Sequence, residues 1–129
     1  MSEKMKYEME FEVNSSPAVL YNMISTPSGL SEWFADNVNI KGETFTFFWN
    51  GTEEEAQLVS TKKGESIKFQ WQDDIDDGLD TYFEMAIKID DLTKDVALII
   101  TDFAEENEKE ESKRLWQNLI SELKMVIGS

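Results

Sequence analysis

No cysteine and no histidine occur anywhere in the 129 residues. The first absence excludes disulfides and thiolate metal sites, and it fits a reducing compartment. The second removes the commonest general base, the usual transition-metal ligand and the ordinary charge switch near neutral pH. Arginine occurs once, at Arg114, against a formal net charge of −15. Nucleic-acid binding, which draws its affinity from Lys and Arg displacing counterions, is therefore not expected. Nor is attraction to an anionic membrane surface. No apolar run approaches the roughly 20 residues that cross a bilayer, so membrane insertion is not expected either. The opening MSEKMKYEMEFEV alternates charged with apolar residues, unlike a signal peptide. These absences predict a soluble cytoplasmic protein whose acidic surface serves solubility or engages a basic protein partner.

Two prolines are present, and each stands where a helix begins. Ser16-Pro17 and Thr26-Pro27 place a hydroxyl cap before a proline in the first helical position. Leu20, Tyr21 and Ile24 then form the apolar side of one short helix, and Leu30, Trp33 and Phe34 that of a second. Upstream, Lys4 to Val13 alternates strictly, with Met5, Tyr7, Met9, Phe11 and Val13 predicted on one face of a strand. Downstream, six more strands are predicted: Val38–Ile40, Thr44–Trp49, Glu54–Thr61, Ser66–Gln72, Tyr82–Ile89 and Val96–Phe103. Asn50-Gly51 is a strong hairpin signal. Asp73 to Asp80 reads as an acidic, solvated loop. It superficially resembles a calcium loop, but Ile75 occupies a required ligand position and the flanks are strands.

The last segment is a long helix, Asn107 to Ile127. Leu115, Trp116, Leu119, Ile120, Leu123, Val126 and Ile127 recur at three- and four-residue steps and make one apolar stripe. Asn107 with Glu110 predicts a capping box, and Gly128 a left-handed stop. Strands joined by short turns make an antiparallel meander whose apolar face needs a cover, and this helix is the only long amphipathic element left. The expectation is one α+β domain over residues 1–129, a curved sheet of about seven strands wrapped around the C-terminal helix.

The ordered set Ser16-Pro17, Leu20-Tyr21, Thr26-Pro27-Ser28-Gly29-Leu30-Ser31-Glu32-Trp33-Phe34-Ala35-Asp36, Phe47-Phe48-Trp49-Asn50-Gly51, Ile67-Lys68-Phe69-Gln70-Trp71 and Trp116 with Ile120 and Leu123 spans nearly the whole chain. It resembles the activator of heat-shock protein 90 ATPase homologue family of the START-like, or SRPBCC, superfamily. The resemblance implies a helix-grip fold and a hydrophobic small molecule or lipid held between helix and sheet. Departures are Leu115 where the family usually has glycine before the tryptophan, and the lack of a polar residue, often histidine, near the last strand. The resemblance does not extend to the N-terminal domain of the eukaryotic co-chaperone, which is not expected here.

Candidate cavity-lining residues are Trp33, Phe34, Phe47, Trp49, Phe69, Trp71, Phe83, Met85, Trp116, Leu119, Ile120 and Leu123. The same positions are what the packed core of any sheet-on-helix protein needs, and that reading takes precedence over a cavity. Tyr7, Tyr82, Gln117 and Asn118 are candidate polar groups. No nucleophile motif, phosphate-cradling loop or redox centre is present, and no cofactor or catalytic residue is expected. Three functions follow: a hydrophobic-ligand binder, an acidic interaction module related to the heat-shock activators, or a cyclase-like enzyme relying on Asp, Glu or Tyr.

Overall fold

The computed structural model describes residues 3–128. Seven strands form one antiparallel sheet in the order β1-β7-β6-β5-β4-β3-β2: β1 (Lys4–Glu12), β2 (Asn37–Lys41), β3 (Thr44–Trp49), β4 (Thr52–Lys62), β5 (Ser66–Trp71), β6 (Phe83–Ile89) and β7 (Val96–Glu105). Strands β2 to β7 make the predicted meander, and β1 adds to β7 with Met9 opposite Ile100. The β3–β4 hairpin turns at Asn50 and Gly51, with φ of 45° and 83°, the pair of left-handed residues that a type I′ turn needs. A register shift between Leu58 and Ser60 interrupts β4. Such a bulge bends a strand and increases its twist. Phe45, Phe47, Ala56, Ile67, Phe69, Phe83, Met85, Leu98 and Ile100 are all buried, supplied by alternate positions of five successive strands.

Helices α1 (Pro17–Ser25) and α2 (Pro27–Trp33) begin as expected. Ser16 Oγ accepts from the Val19 N–H, and Thr26 Oγ1 from that of Gly29. The two helices meet at Gly29, where an added Cβ would sit 2.3 Å from Asn22 O and 2.7 Å from Met23 Cα. Both are backbone atoms, so the helices would have to part. Gly29→Ala is expected to cost about 1–3 kcal/mol, the usual range for overpacking, measured by urea denaturation.

The final helix α4 (Lys109–Ile127) packs on α2 and β7. Its start differs from the expected capping box. Residues Glu106–Glu108 form a 3₁₀ turn, and Glu108 at the cap has φ −107° and ψ −4° with no side-chain cap bond. A cap residue needs extended backbone, so absorbing Asn107 into this turn removes the box. Glu110 and Glu111 still favour the helix N-terminus electrostatically. Gly128 ends the helix at φ 75°, its N–H donating to Lys124 O and Met125 O. The stripe is narrower than expected. Trp116, Ile120 and Leu123 are buried and Leu119 and Ile127 partly so, but Leu115 is 60% and Val126 39% exposed. One residue before Trp116 and one before Ile127, they are turned about 100° away from the line of contact.

Two further expectations change. Met5 lies 59% exposed because β1 is an edge strand and Met5 pairs with Ala104 next to the 3₁₀ turn, beyond the helical cover. The acidic segment is not a plain loop. Gln72–Asp76 is a short helix, α3, with Asp73 and Asp74 in its first turn. Asp74 accepts from Lys4 Nζ at 3.0 Å and from Thr81 Oγ1 at 2.8 Å, tying α3 to β1 and to the residues before β6. No helix among the described residues is long and apolar enough to cross a membrane.

Candidate ligand pocket under the last helix

The concave face of the sheet carries a continuous aromatic cluster organised by Phe34, the residue that caps α2. Its ring meets those of Trp33, Phe47, Trp49, Phe83 and Trp116 at centroid distances of 5.0–5.9 Å. Phe45, Phe47, Phe69 and Phe83 continue the cluster, and Trp71 stacks on Phe83 at 5.0 Å. Two indoles lock the arrangement to backbone: Trp33 Nε1 donates to Met23 O and Trp49 Nε1 to Phe34 O.

Under the first half of α4 the space is not filled. A cavity of about 420 Å³ lies between Phe34, Trp49 and Trp71 on the one side and Ser112, Leu115, Trp116 and Leu119 of the helix on the other. Two carboxylates, Glu54 and Asp102, complete its wall. The twelve candidate lining residues therefore divide. Phe34, Trp49, Trp71, Trp116 and Leu119 border the cavity, whereas Trp33, Phe47, Phe69, Phe83, Met85, Ile120 and Leu123 are buried in the packed core beyond it.

Asp102 anchors the polar part. Its Oδ2 accepts from Trp116 Nε1 at 2.8 Å and its Oδ1 from the Phe103 N–H at 2.7 Å. Burial pushes this carboxyl above the ordinary aspartate value, outweighing the Trp116 and Phe103 hydrogen bonds and the nearby Lys4 charge, which lower it. Tyr7, opposite Asp102 in the β1–β7 register, hydrogen-bonds through its hydroxyl to Ser112 Oγ. Burial pushes the phenol up to about 12, so it stays protonated at neutral pH. Glu54 is also raised, first by burial and then by Asp73 and Asp74. Tyr82 instead packs on Phe103 and beneath Lys68, and Gln117 and Asn118 are exposed. Among the described residues, no group of three or more Asp or Glu is placed to hold a metal ion.

The sequence reading missed Asp102, Glu54, Ser112 and Leu115 as wall residues, and it found no polar residue near the last strand. Asp102, on β7, is a polar residue in that region. The signal was available in strand parity: Leu98, Ile100 and Asp102 share one face of β7, and Glu54 shares that of Ala56 on β4, opposite Phe47. An acid at an inward position of a buried strand needs a reason.

The linkage for Asp102 has a definite sign. A carboxyl raised on folding contributes stability that is fully present below its unfolded pKa of about 4 and is lost as pH rises through the folded value. Asp102→Asn is therefore expected to gain stability relative to the native chain between about pH 4 and pH 7. Urea denaturation at both ends of that window measures it. Glu54 is shifted in the same direction, so the comparison is best made in a Glu54→Gln background.

A family model described as a START-like superfamily domain matches residues 1–129. The chain belongs to the START-like superfamily. The sheet gripping a C-terminal helix is the helix-grip fold of that superfamily. Among solved structures, BfR322 from Bacteroides fragilis is 36% identical, with a TM-score of 0.68 over 98% of this chain and 92% of that one. The Aha1 dimer from Colwellia psychrerythraea is 15% identical, with a TM-score of 0.80 over 95% and 96% of the two chains. DynU16, from the dynemicin biosynthetic locus, is 10% identical with a TM-score of 0.78, covering 96% of this chain and 47% of its own. The last two are similarities of fold alone. No curated protein matches the chain.

Proposed function

We propose that this START-like protein binds a small hydrophobic molecule in the cavity beneath the first half of α4. One observation carries the reading: the aromatic interior is filled around Phe69 and Ile120, yet about 420 Å³ stays open between Trp49, Trp71 and Trp116. That volume falls within the range of small-molecule pockets, roughly 300–1,000 Å³, which are mostly apolar with a few polar groups that orient the ligand. Similarity of fold to a protein of a biosynthetic locus is consistent with it. Titration of lipids and aromatic polyketides is expected to shift tryptophan emission saturably, because three of the four tryptophans border the cavity. Leu119→Trp, which fills the cavity from the helix side, is expected to weaken binding at least tenfold. Absence of a saturable shift with every compound would count against the reading.

A second reading draws on the net charge of −15 and the fold shared with the Aha1 structure. In it the acidic surface engages a basic protein, as an interaction module related to heat-shock ATPase activators. Such binding should weaken markedly as salt rises from low to physiological levels. Capture that ignores ionic strength would exclude it.

A further inference from the structure

We infer that the pocket selects an organic cation, an ammonium group carried on an apolar body, over neutral or anionic molecules of the same shape. This rests on the proposed use of the cavity for a small ligand and specifies its chemistry. Phe34, Trp49, Trp71 and Trp116 present four aromatic rings, whose faces attract cations through their quadrupoles. The ionisable groups among the lining residues are Glu54 and Asp102, both acids. Among the described residues the one ion pair is Lys4 with Asp74, so neither wall carboxylate is in direct contact with a cation, and the Lys4 charge that acts on Asp102 from nearby is already held by Asp74.

One flank of the cavity has the same sign. A groove lined by Glu53, Glu55, Asp73, Asp74 and Asp76 shares Glu54 and Trp71 with the cavity, so the sheet side of the opening is acidic, whereas the helix side, across Ser112 and Leu115, adjoins a groove of mixed charge. The single cation in that groove, Lys4, is held by Asp74 at 3.0 Å. A cleft lined by one sign of charge concentrates ligands of the other and repels its own. Inside, burial disfavours the ionised form of Asp102, and a bound cation would offset that cost. The apolar body of the ligand has Leu115 and Leu119 to rest on.

The test uses three matched probes, 4-phenylbutylammonium, 4-phenylbutanol and 4-phenylbutyrate, titrated at neutral pH into ¹⁵N-labelled protein while the tryptophan indole N–H signals are followed. The ammonium is expected to bind at least tenfold more tightly than the alcohol, with the carboxylate weakest. Glu54 is exposed enough for Glu54→Gln to leave the fold intact. That variant is expected to lower ammonium affinity at least threefold and leave the alcohol unchanged. Glu10→Gln, the same charge change on exposed β1, is expected to alter neither. Equal affinity for ammonium and alcohol would overturn the cation selectivity while leaving a ligand pocket in place. An equal effect of the Glu54 and Glu10 substitutions would overturn the role assigned to the wall carboxylates. No indole shift with any probe would remove the ligand-binding reading itself, and this inference with it.

Discussion

Trp116→Ala is expected to lower the unfolding free energy by about 3–5 kcal/mol, the range for removing a large buried aromatic. The indole is only 5% exposed and meets Phe34 and Phe83 at 5.9 and 6.1 Å. Its loss also takes a hydrogen bond from Asp102 and leaves a buried carboxyl with one protein donor instead of two. Against a total stability of about 5–15 kcal/mol, the variant would be marginal. Trp116→Phe separates the two contributions, because it keeps most of the ring and removes the N–H. Its cost is expected at about 1–3 kcal/mol, that of an unsatisfied buried polar group. Urea denaturation of both variants checks this. A cost below about 1 kcal/mol for Trp116→Ala would mean that the indole is the wall of a hydrated opening, not part of the packed interior.

Phe34→Ala is expected to be as damaging, again about 3–5 kcal/mol. The residue belongs to no strand. It stands at the end of α2, and its ring touches five others, drawn from α2, β3, β6 and α4. Removing it disconnects the helical opening of the chain from both sheet and final helix. Because Phe34 and Trp116 are in contact, their effects should not add. The Phe34→Ala/Trp116→Ala pair is expected to deviate from the sum by about 0.5–3 kcal/mol in a double-mutant cycle. Simple additivity would show that α2 and α4 are secured independently.

Much of this fold was legible in local patterns. The two serine- or threonine-proline starts, the Asn50-Gly51 turn and the alternation in Ser66–Trp71 each specify local geometry with few competitors, and all three appear where expected. The entry to α4 was less legible. Asn107 and Glu110 satisfy a capping pattern, yet the path out of β7 imposes a 3₁₀ turn there, and tertiary constraint overrides the local preference. The cavity was legible only in part. Period-two and helical spacing identify which side chains face inward: of the twelve named, nine are buried, and Trp49, Trp71 and Leu119 are partly so. Spacing carries no information on whether facing side chains meet or fall short. That depends on how far the sheet curls and on the angle at which α4 crosses it, which is why Trp71 borders open space while Phe69, two residues earlier, is sealed. Asp102 was overlooked because an acid near the end of a strand is ordinarily a surface residue. Its inward parity opposite Tyr7 carried the contrary message.

The pairing of β1 with β7 has a kinetic consequence. Strands β2 to β6 each find a partner close by in the chain, but β1 waits for a strand near the opposite end. During synthesis the first strand made is thus the last to acquire its neighbour. Until then its charged residues Lys6, Glu8, Glu10 and Glu12 guard it against pairing with other chains. Closing so long a loop costs entropy before any contact repays it, and strands with distant partners pair more slowly than local hairpins. Burial of Tyr7 is accordingly expected as a late event, after the hairpins have formed and the helix has found its groove.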